Sequence, residues 1–441
     1  MAIEIRNVSL WDSLRLQRFV SAPGFFQGLV APNGWFLSWR CRHGAGESTM
    51  HFFRELRDKY RCDHLWVWFP FGRTLLVFAP ETMEAVLLSD TNQADPFLKR
   101  RALSRFIPDA LVISHGDEWR DRRRFNEEAL DTGHLHHHHD AFREIALEEA
   151  ERMTRERSTE LRWDDFQTLG QRISHQIILG RGQLRPDMAT QLASMLRWSN
   201  VMLRDRWSFS AFYEAIERYL TRKEATPSAC LMHESAAARE SAAATEATRV
   251  PPQIGFWFFV LKDAVELHVA RTLALIAAHP EVQTRVRAEI RSAGALTAQA
   301  IEGLGYLEAC IAEQLRLWTP VPILLRRAVR TFTLRDEIPI EAGRKILIHA
   351  GYYHRDPGVF GDRAHSFSPD AARNGSAAVY FFSAHRQSCA GRSLVSFVLK
   401  ATLASLLRRC RFELSGSAIE PGRISYLYDH FSVELRAFTD A

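Results

Sequence analysis

Apolar positions dominate residues 254–278 almost without a break, and the run stops at His279-Pro280. A stretch of that length and content predicts a buried helix. Upstream, residues 64–70 (HLWVWFP) and 73–80 (RTLLVFAP) are rich in β-branched and aromatic residues, which predicts two strands joined at a Pro70-Phe71-Gly72 turn. Pro80 then opens a helix through about Ser89. From Asp140 onward helical periodicity takes over. Residues 140–157 place Glu148 with Arg152 and Glu151 with Arg155 at i,i+4, the spacing of a solvated helix face. A further helix is predicted over 281–290, and residues 330–349 alternate as a small sheet does. Residues 225–252, rich in Ala, Ser and Thr and closed by Pro251-Pro252, read as a flexible loop or a short helix. Neither an internal repeat nor a clean boundary is visible, so residues 1–441 are predicted to form one mostly helical domain with a minor sheet.

Composition permits a large core: 46% of the 441 residues are hydrophobic, with 28 Phe and 11 Trp. A net charge of +5, with acids and bases interspersed, argues against nucleic acid as the main partner. The six cysteines are widely spread and form no C-x-x-C pair, which excludes a disulfide scaffold or zinc knuckle and fits a reducing compartment. No secretion signal is visible at the N-terminus. The apolar run is long enough for a bilayer, but Lys262, Asp263, Glu266, His268 and Arg271 make spanning costly. A soluble, cytoplasmic protein is the expectation. His134 and His136–His139 lie in a loop entering a charged helix and read as a solvated surface rather than a metal site, because adjacent histidines on a helix cannot all face one ion.

The chemistry concentrates near the C-terminus. Residues 380–392 read YFFSAHRQSCAGR and set Cys389 just before an apolar helix, with Phe382 seven residues upstream and Gly391 two downstream. N–H groups and dipole charge at a helix N-terminus favour thiolate over thiol. A nearby Phe face and a Gly would let a flat macrocycle lie against the loop. Glu313 and Arg316, three apart in a helix ended by Pro320, share a face on which a bidentate ion pair can form.

These two motifs, in this order, resemble the cytochrome P-450 family of heme-thiolate enzymes. Four further stretches agree: LRLWTPVPILLRR after the Glu313 helix, HRDPGVF at 354–360, HPEVQTRVRAEI at 279–290 and HGDEWRDRRRF at 115–125. The resemblance implies a mainly α fold with a small β region, with heme b between the central helix and the Cys-loop helix. It makes Cys389 the axial iron ligand, gives one heme propionate to Trp119 and Arg123 and the other to Arg326, and has Glu313 and Arg316 brace the loop. Phe382, His385, Gln387 and Gly391 become cofactor contacts.

The departures from the family pattern are specific. His385 stands where the family has Gly, so the loop must change conformation or bear strain. Gln387 stands where the family offers Arg or His, with His385 and Arg386 adjacent. The third member of the Glu-Arg-Arg network should fall at Ala371, and Arg373 is its candidate replacement. On the central helix the family's A-G-x-(D/E)-T falls on Val260–Ala264, which keeps the acid as Asp263 but puts Ala264 in the place of the Thr that helps deliver protons to dioxygen.

The resemblance therefore implies a monooxygenase acting on an apolar or aromatic small molecule lined by Phe256, Phe259 and Val260, with Asp263 and Ala264 at the catalytic position. Electrons would come from a ferredoxin-type partner, the enzyme would be a monomer, and the family's soluble members suggest bacterial secondary metabolism such as antibiotic biosynthesis. Ala264 and the altered loop keep open a heme-thiolate enzyme without ordinary oxygen activation (isomerase, dehydratase, peroxide-using or oxidative-coupling), or a degenerate partner-binding relative.

Overall fold

A computed structural model describes residues 5–27, 33–69, 72–95, 100, 103–156, 160–201, 203–221, 227–240, 244–334, 338–374, 378–416 and 419–439. The helices that matter here are α1 (Ala45–Tyr60), α2 (Gly116–Ala129), α3 (His139–Glu156), α4 (Trp163–Leu179), α5 (Leu231–Glu240), α6 (Val250–Ala277), α7 (Gly305–Leu317) and α8 (Arg392–Arg409). Helix predominates and strands are few, which is the expected fold class. The chain divides into two compact units. One comprises Met1–Phe97, Glu313–Cys389 and Gly422–Tyr428; the other comprises Leu98–Ala312, Ala390–Pro421 and Asp429–Ala441.

The first unit is built on a six-stranded sheet in the order β1-β2-β3-β9-β6-β4. Its strands are β1 (Arg6–Asn7), β2 (His64–Phe69), β3 (Gly72–Val77), β4 (Asn92–Ala94), β6 (Leu324–Ala328) and β9 (Lys345–Ile348). The predicted hairpin is the antiparallel β2–β3 pair, registered from His64↔Val77 to Phe69↔Gly72; its Pro70-Phe71 turn lies outside the described residues. Both faces of this sheet are covered. Leu75, Val77, Ile346 and Ile348 pack with Met83 and Val86 of the Pro80–Leu88 helix on one side. Leu65, Val67, Leu76 and Leu347 pack with Phe52, Phe53 and Leu56 of α1 on the other. Two-sided burial is why the strands lack polar alternation. The hairpin β7 (Phe332–Leu334) and β8 (Ile338–Ile340) completes the sheet signal read at 330–349.

The second unit is helical, with one small sheet in which β11 (Glu434–Thr439) pairs with both β5 (Glu160–Arg162) and β10 (Cys410–Leu414). Its centre is α6, a 28-residue helix with Pro at its first positions, where a missing N–H costs nothing. Within 225–252 the chain forms α5 and a 3₁₀ turn at Glu246–Thr248. The start of α6 is locked by buried Gln253, whose Nε2 donates to Asp109 O (2.9 Å) and whose Oε1 accepts from Leu111 N (2.9 Å). Trp257 Nε1 donates to Asn126 Oδ1 on α2 at 2.8 Å. Helix α4 crosses α6 at Gly170, where a Cβ would stand 2.8 Å from Lys262 O and 3.0 Å from Glu266 Cβ. Only a residue without a side chain allows that approach. Among the described residues no helix is long and apolar enough to cross a membrane.

Gly170→Ala is expected to cost about 1–3 kcal/mol, because the methyl group meets backbone that cannot swing away. Urea unfolding midpoints check this; an unchanged midpoint would show that the two helices can part freely.

Candidate functional site: a cysteine loop and an acidic helix

The Glu313–Arg316 pair forms as its spacing requires. Arg316 Nε and Nη2 meet Glu313 Oε1 and Oε2 at 2.7 and 2.8 Å, and each residue is only 1% exposed. A buried pair holds its place only when the remaining donors and lone pairs are also satisfied. Here Arg316 donates further to His354 O (2.8 Å), Arg363 O (2.9 Å) and Ser366 O (3.0 Å), and Glu313 accepts Ser368 N–H (3.1 Å). The third cation is Arg363, whose Nη1 stands 4.0 Å from Glu313 Oε1. Arg373, the replacement expected from sequence, is exposed. The reason is local: Arg373 follows the short Pro369–Arg373 helix outward, whereas Arg363 sits in the 3₁₀ turn whose carbonyl Arg316 already holds.

His354 carries this order to the cysteine loop. Its Nδ1 donates to Thr319 Oγ1 (2.8 Å), and its Nε2 accepts the N–H of Tyr380, the first loop residue, at 2.9 Å. Burial keeps the ring neutral and pushes its pKa down to about 3. Tyr380 O accepts Ser383 N–H (2.9 Å) to close a turn, and Phe382 O accepts Cys389 N–H (2.9 Å) to fold the loop back on itself. Phe381 and Phe382 meet edge to face at 5.0 Å. Cys389 is the exposed cysteine of the six; Cys41 is half-buried, and Cys62, Cys230, Cys310 and Cys410 are buried. Cys410 lies within β10, opposite Thr439. Gly391 has φ −87, and a Cβ there would make only ordinary contact with Leu130 Cδ1 at 3.9 Å, so neither its conformation nor its surroundings in this chain demand glycine.

The strain anticipated at His385 is present: its φ is +54, and Ser383 has φ +59. His385 keeps the left-handed backbone that a glycine would adopt at no steric cost. Its side chain goes to Asp90, with Nε2 2.9 Å from Oδ1, and Arg386 Nε reaches the same oxygen at 3.0 Å. Gln387 Oε1 accepts Ala94 N–H at 2.5 Å, and its Nε2 lies 3.4 Å from Asn92 O. The two residues expected to contact a cofactor are held here by protein partners. Both side chains dock the loop against strand β4 and the turn before it, because an edge strand offers unpaired backbone groups that a nearby amide satisfies.

Arg326, on β6, is the most unusual group in this unit. It is 4% exposed, yet it donates to neutral groups: Ser383 Oγ at 2.6 Å and its neighbour's carbonyl, Leu325 O, at 3.1 Å. Burial pushes its pKa down to about 10. Among the described residues no carboxylate pairs with it, and a buried cation of this kind is costly unless an anion is supplied.

In the second unit, α6 presents Phe256, Phe259, Val260, Asp263 and Ala264 on one half-exposed face, at the 3–4 residue spacing of a single stripe. The three apolar residues assigned to substrate therefore do share a face with the two assigned to catalysis. Sequence reading passed over the neighbours. Lys262 Nζ meets Glu266 Oε2 at 2.6 Å and lies 3.9 Å from Asp263 Oδ1. Burial pushes Asp263 up to about 6 and Glu266 up to about 7, with the Lys262 ammonium opposing both shifts. Asp263 keeps 36% of its side chain accessible, so it sits deep but open. Helical arithmetic, i to i+4 from Lys262, could have flagged the pair. On α2, Trp119 is half-buried and Arg123 is buried, with Arg123 Nε held by Glu127 Oε1 at 2.7 Å. A propionate at Arg123 would share that guanidinium with Glu127.

The left-handed backbone gives a direct test. His385→Gly is expected to stay within about 1 kcal/mol of the parent protein, since relief of strain offsets glycine's entropy. His385→Val, β-branched at the same φ, is expected to lose about 2 kcal/mol more. Chemical denaturation of the two variants decides it, and equal stabilities would mean the loop is unstrained.

Residues 268–425 match the family described as cytochrome P-450. Among curated proteins, cytochrome P-450 monooxygenase xanG of Aspergillus fumigatus is 33% identical over 171 residues, covering 35% of this chain and 32% of that protein. Cytochrome P-450 714C2 of Oryza sativa subsp. japonica is 32% identical over 185 residues, 38% of this chain and 35% of its own length. Probable cytochrome P-450 4d20 of Drosophila melanogaster is 28% identical over 180 residues, again 38% and 35%. The chain thus spans about a third of the length of the curated relatives it matches. The matched stretch, about a third of this chain, holds Glu313, Arg316, Arg326 and Cys389 and is similar to the cytochrome P-450 family.

Proposed function

We propose that this chain is a heme-thiolate monooxygenase that oxidises an apolar or aromatic small molecule. The observation that carries the reading is the pairing of Arg326 with Ser383. A buried guanidinium lacking a carboxylate partner among the described residues is hydrogen-bonded into the same loop that exposes Cys389. The donor set fits heme: a reachable sulfur for iron and a buried cation suited to a propionate. Cys410, inside a sheet strand, offers no such access. Bound heme supplies reductive activation of dioxygen, with the thiolate favouring O–O cleavage.

The chain's own residues then have separable tasks. Cys389 supplies the sulfur, Arg326 neutralises a carboxylate, and Glu313 with Arg316 fixes the segment from which the loop departs. Phe256, Phe259 and Val260 offer an apolar stripe that excludes water from a hydrophobic substrate. Asp263 takes over proton delivery from the absent hydroxyl. Its raised pKa leaves it partly protonated near neutrality, and the Lys262–Glu266 pair one turn along can reload it. This arrangement favours oxygen activation over the alternative of a heme-thiolate enzyme that dispenses with it, which rests on Ala264, Leu261 and the altered cysteine loop. The finer reading is a monomer in the cytoplasm, fed by a ferredoxin-type partner and serving secondary metabolism. It rests on the family resemblance and on Arg386 and the neighbouring loop as a basic docking surface.

The test is spectroscopic and kinetic. Purified protein is expected to bind heme and, reduced under carbon monoxide, to show a thiolate-type difference spectrum. Cys389→Ser should abolish that spectrum, and Cys410→Ser should leave it intact. Retention in Cys389→Ser would move the ligand elsewhere. With NAD(P)H, a ferredoxin and its reductase, substrate oxidation should require oxygen; turnover without either would establish the alternative. Asp263→Asn is expected to lower kcat about 10²-fold. Because Asp263 donates only when protonated, the parent's rate should fall as pH rises through about 6 to 7, and the variant should lack that limb. A variant with the parent's rate and pH profile would remove Asp263 from proton delivery.

A further inference from the structure

The histidine run enters α3 from a loop, as expected, and His139 is the first helical residue. His136 to His138 form a turn ahead of α3, so adjacent imidazoles can converge. His137 Nε2 lies 3.3 Å and His138 Nε2 2.8 Å from a single oxygen, Glu234 Oε1 on α5, a residue 96 positions away from His138. All three ligand atoms lie within 4.8 Å of one another. Nitrogen and oxygen ligands bound at about 2.1 Å around a tetrahedral ion stand roughly 3.4 Å apart, so small adjustments suffice to admit one.

The surroundings orient these ligands as metal sites require. Asp131 Oδ2 accepts both the backbone N–H of His137 (2.8 Å) and its Nδ1–H (2.6 Å). That places one proton on Nδ1, so an ion entering at Nε2 displaces the proton Nε2 shares with Glu234 and finds the carboxylate–histidine arrangement that raises ligand basicity. His136 is buried and occupied elsewhere: its Nε2 donates to Ala129 O (3.2 Å), and its Nδ1 accepts the N–H of His138 (3.0 Å). It therefore shapes the turn without competing for an ion. The rings of His136 and His137 stack at 4.5 Å and 20°, which fixes the plane of His137.

We propose that His137, His138 and Glu234 form a binding site for a divalent transition ion of the zinc class, with Asp131 holding His137 in the binding tautomer. Two imidazoles and a carboxylate leave the fourth tetrahedral position for water. The ion would tie α5, in the segment between α4 and α6, to the turn that follows α2. This site is independent of the cysteine loop and of any heme bound there.

Zinc binding to the full-length protein, measured by isothermal titration at pH 7.5, tests it. One Zn²⁺ per chain is expected, released as pH falls and the imidazoles protonate. Glu234→Gln and His138→Ala should each weaken binding at least tenfold. Asp131→Asn, which removes no ligand, should weaken it about 10–100-fold. His134→Ala changes an exposed member of the same run outside the set, and should bind as the parent does. Saturating zinc should raise the unfolding temperature of the parent but not of Glu234→Gln, and circular dichroism confirms that each variant is folded. Absence of zinc binding would overturn the site. So would equal affinity in Glu234→Gln, or a loss in His134→Ala matching that in His138→Ala, since either means simple chelation by a histidine-rich turn.

Discussion

Arg316 and Glu313 are each almost wholly removed from water, and everything around the cysteine loop follows from how that charge is managed. Removing two ions from water costs several kcal/mol apiece, and their attraction repays this only if every remaining donor and lone pair is also met. Arg316 therefore has to collect carbonyl oxygens, and the ones it collects belong to His354, Arg363 and Ser366. The short helical turns over 354–368 are thereby fixed to the end of α7. Because His354 both presents its carbonyl to Arg316 and receives Tyr380 N–H on its ring, the start of the cysteine loop inherits the same restraint. The ion pair sets where the cysteine loop begins.

Arg355 extends this logic. Also buried, it donates to Leu317 O (3.0 Å), to Ser425 O (3.3 Å) and to Ile424 O, and it lies over the Tyr426 ring at 4.4 Å. Trp318 donates to the same Ser425 carbonyl at 2.9 Å and stacks on Tyr428 at 4.6 Å. Residues 422–428 return to the first unit after a long excursion and bring almost no secondary structure with them. Guanidinium and indole donors supply the partners that a strand would otherwise have provided, which is how buried irregular backbone stays satisfied.

Local pattern made the regular elements legible. The central helix was expected over 254–278 and spans Val250–Ala277, and the hairpin strands, the helix at Pro80 and the 330–349 sheet fall where side-chain period placed them. The Glu313–Arg316 pair was legible for the same reason, since i,i+3 contact is a property of one helix. Contacts made by irregular chain were not. Nothing in the spacing after Pro369 says that Arg373 leaves the surface unused while Arg363, ten residues earlier, reaches Glu313. Likewise Gln387 can be recognised as a hydrogen-bonding amide, but its acceptance of Ala94 N–H depends on where an edge strand ends. The histidine run was read with helical geometry, and a turn changes which side chains can meet.

The two places where this chain departs most from its family's pattern are also where its physics is least relaxed. At His385 the backbone remains left-handed although the residue that adopts it freely is gone, so the loop's shape is imposed by contacts at Asp90, β4 and His354 rather than by local preference. At Ala264 a hydroxyl is missing, yet the adjacent turn carries two carboxylates whose burial raises both pKa values and one ammonium placed to share them. Buried Glu266 is held by its pair with Lys262, because an unpaired buried charge costs more than the pair. A left-handed loop without a glycine and an acidic helix turn without a threonine are each held by tertiary contacts that compensate for a lost local rule.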